Sequence, residues 1–207
     1  MDFGIHHQNV LEDLLKWRRD VRHFQTDPVD VGVLGEIEAS VDLAPSVGNS
    51  RPWRFVRVNS EVMRQKIIAS FESENREAAR AYAENERNAY LALKLAGLKE
   101  APHHYAVFTV GDPVEGRGLG RQSMPEMLAY STVTAIYTFW LAARVRNVGV
   151  GWVSILDPET VEKALDVPSD WQLTSYLCVG YPLEDHDTPE LDRKGWQENV
   201  PTQWIDR

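Results

Sequence analysis

The strongest constraint on the fold of this chain is one amphipathic helical stripe in its second half. Large apolar residues recur there at intervals of three and four, which puts their side chains on one helical face: Tyr130, Val133, Ile136, Tyr137, Trp140, Leu141 and Val145. A helix with such a face must be covered by other elements. We therefore predict that it lies at the centre of the fold or of a dimer, and core packing alone explains the stripe.

Helices and strands are intermixed around this helix. Spacing and propensity predict helices over residues 10–18, 28–44, 61–94 and 158–165, the second of them capped by Asp27 and Pro28. Runs of β-branched and aromatic residues predict strands over residues 53–58, 103–110, 149–156 and 173–180. A length of 207 residues suits one domain, and this order of elements predicts an α/β or α+β class.

Composition and charge exclude several classes of function. The net charge of −9 disfavours a nucleic-acid binder and means that any phosphate site must be made locally by arginines. One cysteine, Cys178, permits no intrachain disulfide, and its apolar surroundings predict a buried strand position. The histidine pairs are adjacent rather than at zinc-ligand spacing, so no metal site is predicted. We find neither a secretory leader nor an apolar run of about 18 residues, and expect a soluble cytoplasmic protein with no membrane partner.

The best candidate anion site is residues 18–22, named the arginine segment below. It places Arg18, Arg19 and Arg22 around Asp20 and Val21. Guanidinium groups bind phosphate through paired hydrogen bonds, and their charge favours the ionised form of a neighbouring carboxylate such as Asp20. A solvated basic turn with a simple Asp–Arg ion pair explains the same residues, so both interpretations stay open.

Two further segments could contact a flat ligand. Residues 44–53 form a loop in which Ser and Asn side chains and the backbone at Gly48 could hydrogen-bond a ring or a phosphate. Gly149 and Gly151 could let a strand backbone approach a ligand closely, with Ser154 as the polar group at its end. An ordinary loop and an ordinary buried strand explain both segments equally well. The residues alone predict no more than a flat ligand that carries a phosphate.

In combination, these segments resemble the nitroreductase family, in which an Arg-rich opening segment and a loop with an Ala-Pro-Ser…Pro-Trp pattern hold FMN. The matching positions are residues 18–22, 44–48 and 52–55. Residues 121–126, 130–131, 140–144, 149–156, 177–182, 189–191 and 195–196 narrow the resemblance to one branch of the family, the aerobic 5,6-dimethylbenzimidazole synthases. The resemblance covers residues 10–200.

This resemblance implies a fold and an assembly. The fold would be α+β and nitroreductase-like, with a central mixed, mainly antiparallel sheet flanked by helices. Residues 1–207 would form a single domain, with a lid-like helical segment at about residues 71–100 and a C-terminal extension at residues 182–207. Two chains would form an intertwined homodimer with FMN bound at the subunit interface.

The resemblance also implies the chemistry. Reduced FMN would be consumed as a substrate, and its fragmentation with O2 would give 5,6-dimethylbenzimidazole, the lower ligand of vitamin B12 (cobalamin), and erythrose 4-phosphate. A separate flavin reductase would supply the reduced FMN. Asp20 and Ser154 would be catalytic. FMN would be bound by Arg18, Arg19, Asp20, Val21, Arg22, Pro45, Ser46, Val47, Gly48, Trp152, Val153 and Ser154.

The sequence departs from its relatives at Arg51, where many have Gln, and at Tyr137, where Gln is frequent. Arg51 adds a positive charge beside the flavin loop. Two other functions remain as alternatives. One is an NAD(P)H-dependent FMN nitroreductase or quinone reductase, and the other is a non-catalytic flavin carrier or sensor.

Overall fold

The fold is a four-stranded sheet between two layers of helices. The structure is a computed structural model that describes residues 1–207, apart from the side chain of Asn85. The helices in these residues are α1 (Ile5–Trp17), α2 (Val31–Ser40), α3 (Glu61–Arg80), α4 (Glu84–Leu91), α5 (Met127–Arg144), α6 (Pro158–Leu165) and α7 (Glu190–Arg193). The strands are β1 (Trp53–Arg57), β2 (His103–Val110), β3 (Gly149–Val153) and β4 (Trp171–Gly180). The α+β class is thereby confirmed.

The sheet has the strand order β1-β2-β4-β3, and each neighbouring pair is antiparallel. A parallel contribution comes from a bridge between Asp20 and Val150. Because side chains alternate across a strand, β2 contributes to two cores. Tyr105 and Val107 pack with α2 and α5 on one face, whereas Ala106 and Phe108 pack with α3 and α6 on the other.

Helix α5 lies at the centre of the fold, as the apolar stripe predicted. Other elements of the same chain bury only part of that stripe. Ile136 and Trp140 of α5 are buried in the core between α2 and the sheet. Tyr130 is 53% exposed and Tyr137 is 39% exposed. Core packing within one chain therefore does not account for the whole stripe.

Several element boundaries differ from those that the sequence predicted. Helix α2 begins at Val31 rather than at Asp27-Pro28, because the Asp30 side chain accepts hydrogen bonds from the N–H groups of Gly32 and Val33, at 2.8 and 3.1 Å. The long helix predicted over residues 61–94 is broken between Arg80 and Glu84 into α3 and α4. None of the helices in the described residues combines the length and the apolar character needed to cross a bilayer.

Candidate active site

The arginine segment follows α1 and lies against β3. The Val21 N–H donates to the Val150 carbonyl at 3.1 Å. A Cβ atom at Gly151 would lie 2.1 Å from the Val21 carbonyl oxygen, and one at Gly149 would lie 2.8 Å from the Val21 side chain. These two glycines therefore admit the chain's own arginine segment. The sequence predicted that these glycines could admit a flat ligand, but the space beside them is filled by Val21.

Asp20 is held from two sides. Its Oδ1 accepts a hydrogen bond from the Trp152 N–H at 2.8 Å, and its Oδ2 accepts one from Arg22 Nε at 2.9 Å. The side chain is 30% exposed. Burial raises the pKa of Asp20 above its ordinary value, although the Trp152 amide and the Arg22 guanidinium act in the opposite direction. Arg22 thus favours the ionised carboxylate, as the sequence predicted, but desolvation is the larger effect.

The three arginines have different partners. Arg22 Nη1 donates to the Lys94 carbonyl at 3.2 Å, and Arg19 donates to the Asp187 carbonyl through Nε at 3.0 Å. The Arg18 guanidinium lies over the ring of Trp140, 4.8 Å from its centroid, and its buried Nε has no hydrogen-bond partner within the described part of the chain. A buried donor without a partner is rare, and a bound phosphate oxygen would satisfy it. Among the three, Arg18 therefore fits an anion best.

A cavity separates the arginine segment from the C-terminal extension. Asp20, Arg22, Arg144 and Glu190 are among the residues that line it, and its volume is about 40 Å³. Sites for ligands of ordinary size measure roughly 300–1,000 Å³. This cavity is consequently too small to enclose a flavin between these parts of one chain.

The loop with Pro45, Ser46, Val47 and Gly48 packs on the N-terminal half of α5. The Val47 N–H donates to Ser131 Oγ at 2.9 Å, and Thr134 Oγ1 donates to the Pro45 carbonyl at 2.8 Å. These contacts fall in the N-terminal half of α5, whereas Arg18 packs on its C-terminal half at Trp140. In the described residues no hydrogen bond joins this loop to the arginine segment.

The third predicted part of the site surrounds the end of β3. The centroid of the Trp152 ring is 6.4 Å from that of Trp140, and the Arg18 guanidinium lies over the Trp140 ring. Trp152 is therefore close to Arg18. Val153 is buried, and Ser154 is exposed and comes one residue after β3 ends. The structure thus joins Arg18, Asp20, Val21 and Arg22 to Trp152 and leaves the Pro45–Gly48 loop apart.

Three contacts of this site escaped prediction. Trp140 was identified as part of a core stripe and of the family resemblance but not as a partner of Arg18, and no pattern indicated that the carbonyl groups of Lys94 and Asp187 would hold arginines. A hydrogen bond to a backbone carbonyl depends on no particular residue type, so the sequence carries no signal for it. In the described part of the chain no group of three or more His, Cys, Asp and Glu side chains could hold a metal ion.

Comparison with known proteins defines the class to which this fold and site belong. Residues 15–181 match the model of the nitroreductase family, and the chain belongs to that family. A solved structure of oxidized iodotyrosine deiodinase, bound to FMN and 3-iodo-L-tyrosine, superimposes with a TM-score of 0.73 over 95% of this chain and 97% of that one. At 24% sequence identity, this likeness establishes the nitroreductase-like fold and nothing more specific.

Closer relatives narrow the class. The chain is 50% identical over 204 residues to the 5,6-dimethylbenzimidazole synthase of Rhodobacter capsulatus, which covers 99% of each protein. It is 53% identical over 191 residues to the 5,6-dimethylbenzimidazole synthase of Rhodospirillum rubrum, which covers 92% of this chain and 90% of the relative. The predicted resemblance to this branch of the family is thereby confirmed.

Proposed function

We propose that this protein is an oxidoreductase that makes 5,6-dimethylbenzimidazole from reduced FMN and O2, with erythrose 4-phosphate and the remaining pyrimidine portion of the flavin as the other products. The observation that carries the proposal is the agreement of about half of all residues with the named synthases along nearly the whole chain. In this proposal FMN is consumed as a substrate. When bound, reduced FMN supplies the ring that reacts with O2. The 5,6-dimethylbenzimidazole that results serves as the lower ligand of vitamin B12.

The residues of the arginine segment have the properties that binding of FMN requires. Arg18 offers a buried donor without a partner, which suits a phosphate oxygen. Arg19 and Arg22 would hold the surrounding backbone, and Arg22 also orients Asp20. We assign the remaining contacts with FMN to Val21, Trp152, Val153 and Ser154 beside β3, and to the loop with Pro45, Ser46, Val47 and Gly48.

Asp20 is the proposed proton-transfer group. Because burial raises the pKa of this carboxyl, its protonated form persists closer to neutral pH than that of an exposed Asp. The Trp152 amide and Arg22 fix both of its oxygens, so a proton would be taken or given at a defined position. Ser154, an exposed hydroxyl just beyond β3, would donate a hydrogen bond to the flavin ring.

We further propose that two chains form an intertwined homodimer and share the site. Two observations support this. Tyr130 and Tyr137 of α5 remain exposed, and α1 buries none of its residues even though Leu11 and Leu15 lie on it. The loop of residues 45–48 contacts the N-terminal half of α5 and the arginine segment its C-terminal half, so a second chain could supply the loop that one site lacks.

The cellular setting is also part of the proposal. The chain matches no dinucleotide-binding fingerprint, so a separate flavin reductase would deliver reduced FMN. Such a reaction would take place in the cytoplasm. Residues 71–100 would act as a lid over the site, and residues 182–207 as an extension beside it, within a single domain.

The test is to mix the protein with photoreduced FMN, admit air, and quantify 5,6-dimethylbenzimidazole by mass spectrometry. We expect product in proportion to the FMN consumed. Asp20→Asn removes the proton-transfer group, so the rate of product formation should fall by about 100-fold or more. Ser154→Ala should also lower it.

Asp170→Asn is the matched control, since this exposed Asp contributes only its backbone carbonyl to a hydrogen bond with Gly111. It should leave the rate unchanged. Full product from the Asp20→Asn protein would contradict the role of Asp20. Intact oxidised FMN and no product from the unaltered protein would favour the NAD(P)H-dependent alternative, to be assayed with nitroaromatics and quinones.

A further inference from the structure

An aromatic cluster joins the C-terminal extension to the helices that precede β2. The Trp196 ring centroid lies 5.6 Å from that of Tyr82 and 6.0 Å from that of Tyr90. The two tyrosine rings stack on each other at 5.0 Å. Tyr82 follows α3 and Tyr90 lies on α4, so one tryptophan contacts both sides of the break between these helices.

Both sides of this cluster are held in place. The Tyr90 ring is buried, and its hydroxyl donates to Asn75 Oδ1 on α3 at 2.7 Å. The backbone N–H of Trp196 donates to the carbonyl of Leu191 in α7, at 2.9 Å. The cluster is thus a contact between two supported surfaces, and aromatic pairs of this geometry stabilise beyond the area that they bury.

The same two segments contact the arginine segment at their other ends. The Lys94 carbonyl, just past α4, accepts a hydrogen bond from Arg22, and Gly97 packs against the Phe24 ring, two residues beyond the arginine segment. From the extension, the Asp187 carbonyl accepts a hydrogen bond from Arg19 Nε at 3.0 Å. The arginine segment, which contains Asp20, is therefore linked to residues 80–97 and to the extension, and Trp196 joins these two to each other.

We propose that Trp196 is a positioning residue that keeps the lid shut on the site during the reaction with O2. The inference rests on the proposed function and adds a residue that determines which of two products reduced FMN gives with O2. An open site would let reduced FMN pass two electrons and two protons to O2, which forms oxidised FMN and H2O2 and leaves the ring intact. A contact that holds the lid against the extension favours fragmentation because solvent stays out.

The experiment measures how reduced FMN is partitioned between the two outcomes. Trp196→Ala is mixed with photoreduced FMN and air, and both 5,6-dimethylbenzimidazole and H2O2 are quantified. The ratio of H2O2 to product should rise by about threefold or more, as expected for the loss of aromatic pairs, while Trp196→Phe keeps most of the contact and restores the ratio. Tyr82→Ala removes the opposite side of the contact and should cause the same rise.

Trp204→Ala is the matched control, because this tryptophan of the same extension is 90% exposed. It should leave the ratio unchanged. A second readout is amide hydrogen exchange in α4, which should become faster in Trp196→Ala and not in Trp204→Ala.

The two readouts separate this inference from the proposed function. If the unaltered protein makes no 5,6-dimethylbenzimidazole, the function is refuted, and the contact is then judged by exchange in α4 alone. An unchanged ratio together with unchanged exchange in Trp196→Ala and Tyr82→Ala would overturn the role of Trp196.

Discussion

At the scale of single residues, His104 is a buried histidine outside the arginine segment whose pKa is lowered. Its ring is buried in the sheet, with Nε2 3.1 Å from the Ala101 carbonyl and Nδ1 3.0 Å from the Tyr176 hydroxyl. Nε2 donates to the carbonyl, and in the neutral ring Nδ1 accepts from the hydroxyl. Burial lowers the pKa of His104 from 6.5 to about 4.

This shift predicts the acid sensitivity of the fold. Between pH 6.5 and 4 the unfolded chain takes up a proton at His104 that the folded chain does not, so stability falls as the pH falls. From pH 7 to pH 5 the loss should be about 2 kcal/mol. Burial also lowers the pKa of His103, which acts in the same direction.

Urea unfolding at pH 7 and pH 5 measures this effect. His104→Gln should flatten the difference between the two conditions, even if it lowers stability at both. His6→Gln, at an exposed position on α1, should leave the difference as it is in the unaltered protein. An equal loss in His104→Gln and the unaltered protein would assign the acid sensitivity to other groups.

At the scale of elements, the contact between β3 and the arginine segment is the one that tolerates least change. Gly151→Ala would put a methyl group 2.1 Å from the Val21 carbonyl oxygen, so the two backbones must separate. We expect a loss of about 1–3 kcal/mol in the free energy of unfolding. Product formation should fall as well, because the hydrogen bond from the Trp152 amide to Asp20 spans the same contact.

Gly35→Ala on α2 is the control for Gly151→Ala. Nothing lies within 4 Å of a Cβ at Gly35, and the position is inside a helix. It should therefore stabilise the protein by about 0.5–1 kcal/mol. Equal urea midpoints for the two variants would mean that β3 and the arginine segment can move apart without lowering the free energy of unfolding.

Elements were predictable from sequence where a local pattern decides them. The Asp157-Pro158 start of α6 is confirmed, with the Asp157 side chain accepting from the Thr160 N–H at 3.1 Å. The predicted start of α2 at Asp27 was wrong. Asp27 and Asp30 are both suitable N-cap residues, and the local sequence does not distinguish between them. The break between α3 and α4 contains neither Gly nor Pro, so composition gave no indication of it.

The candidate site was predictable only in part, for a related reason. A cluster of arginines around Asp20 is visible in the sequence, and so is a strand that begins with glycines. Their contact is not, since it joins residues 132 positions apart and depends on the register of the whole sheet. The resemblance to a family supplied the identities of the site residues, whereas the partners of Arg18, Arg19 and Arg22 required the fold.

At the scale of the whole molecule, exposed apolar residues predict the assembly. Val133 of α5 is 39% exposed and Leu11 of α1 is 50% exposed. If these surfaces lie between two chains, the mass in sedimentation equilibrium should be twice the 23.6 kDa of one chain. Leu11→Glu and Val133→Glu should each shift the protein toward the monomer, because a dry interface disfavours an unpaired charge.

Loss of binding of FMN should accompany dissociation, since each site would lose the loop supplied by the other chain. Val62→Glu provides the comparison. This residue of α3 is 64% exposed and should tolerate the same charge in a dimer that still binds FMN. Monomers that bind FMN as tightly as the dimer would rule out a shared site.

The bond between the Asp20 carboxylate and the Trp152 amide also has a consequence for the order in which the chain is made. Asp20 leaves the ribosome early, and its partner follows 132 residues later. At about 5–20 residues per second, the interval is roughly 7–26 s. A nascent chain that ends between these two residues thus carries every arginine of the segment, including Arg22, but lacks the Trp152 amide that holds Oδ1 of Asp20. Translation that stops within this interval would leave a polypeptide that could still attract phosphate but could not direct a proton.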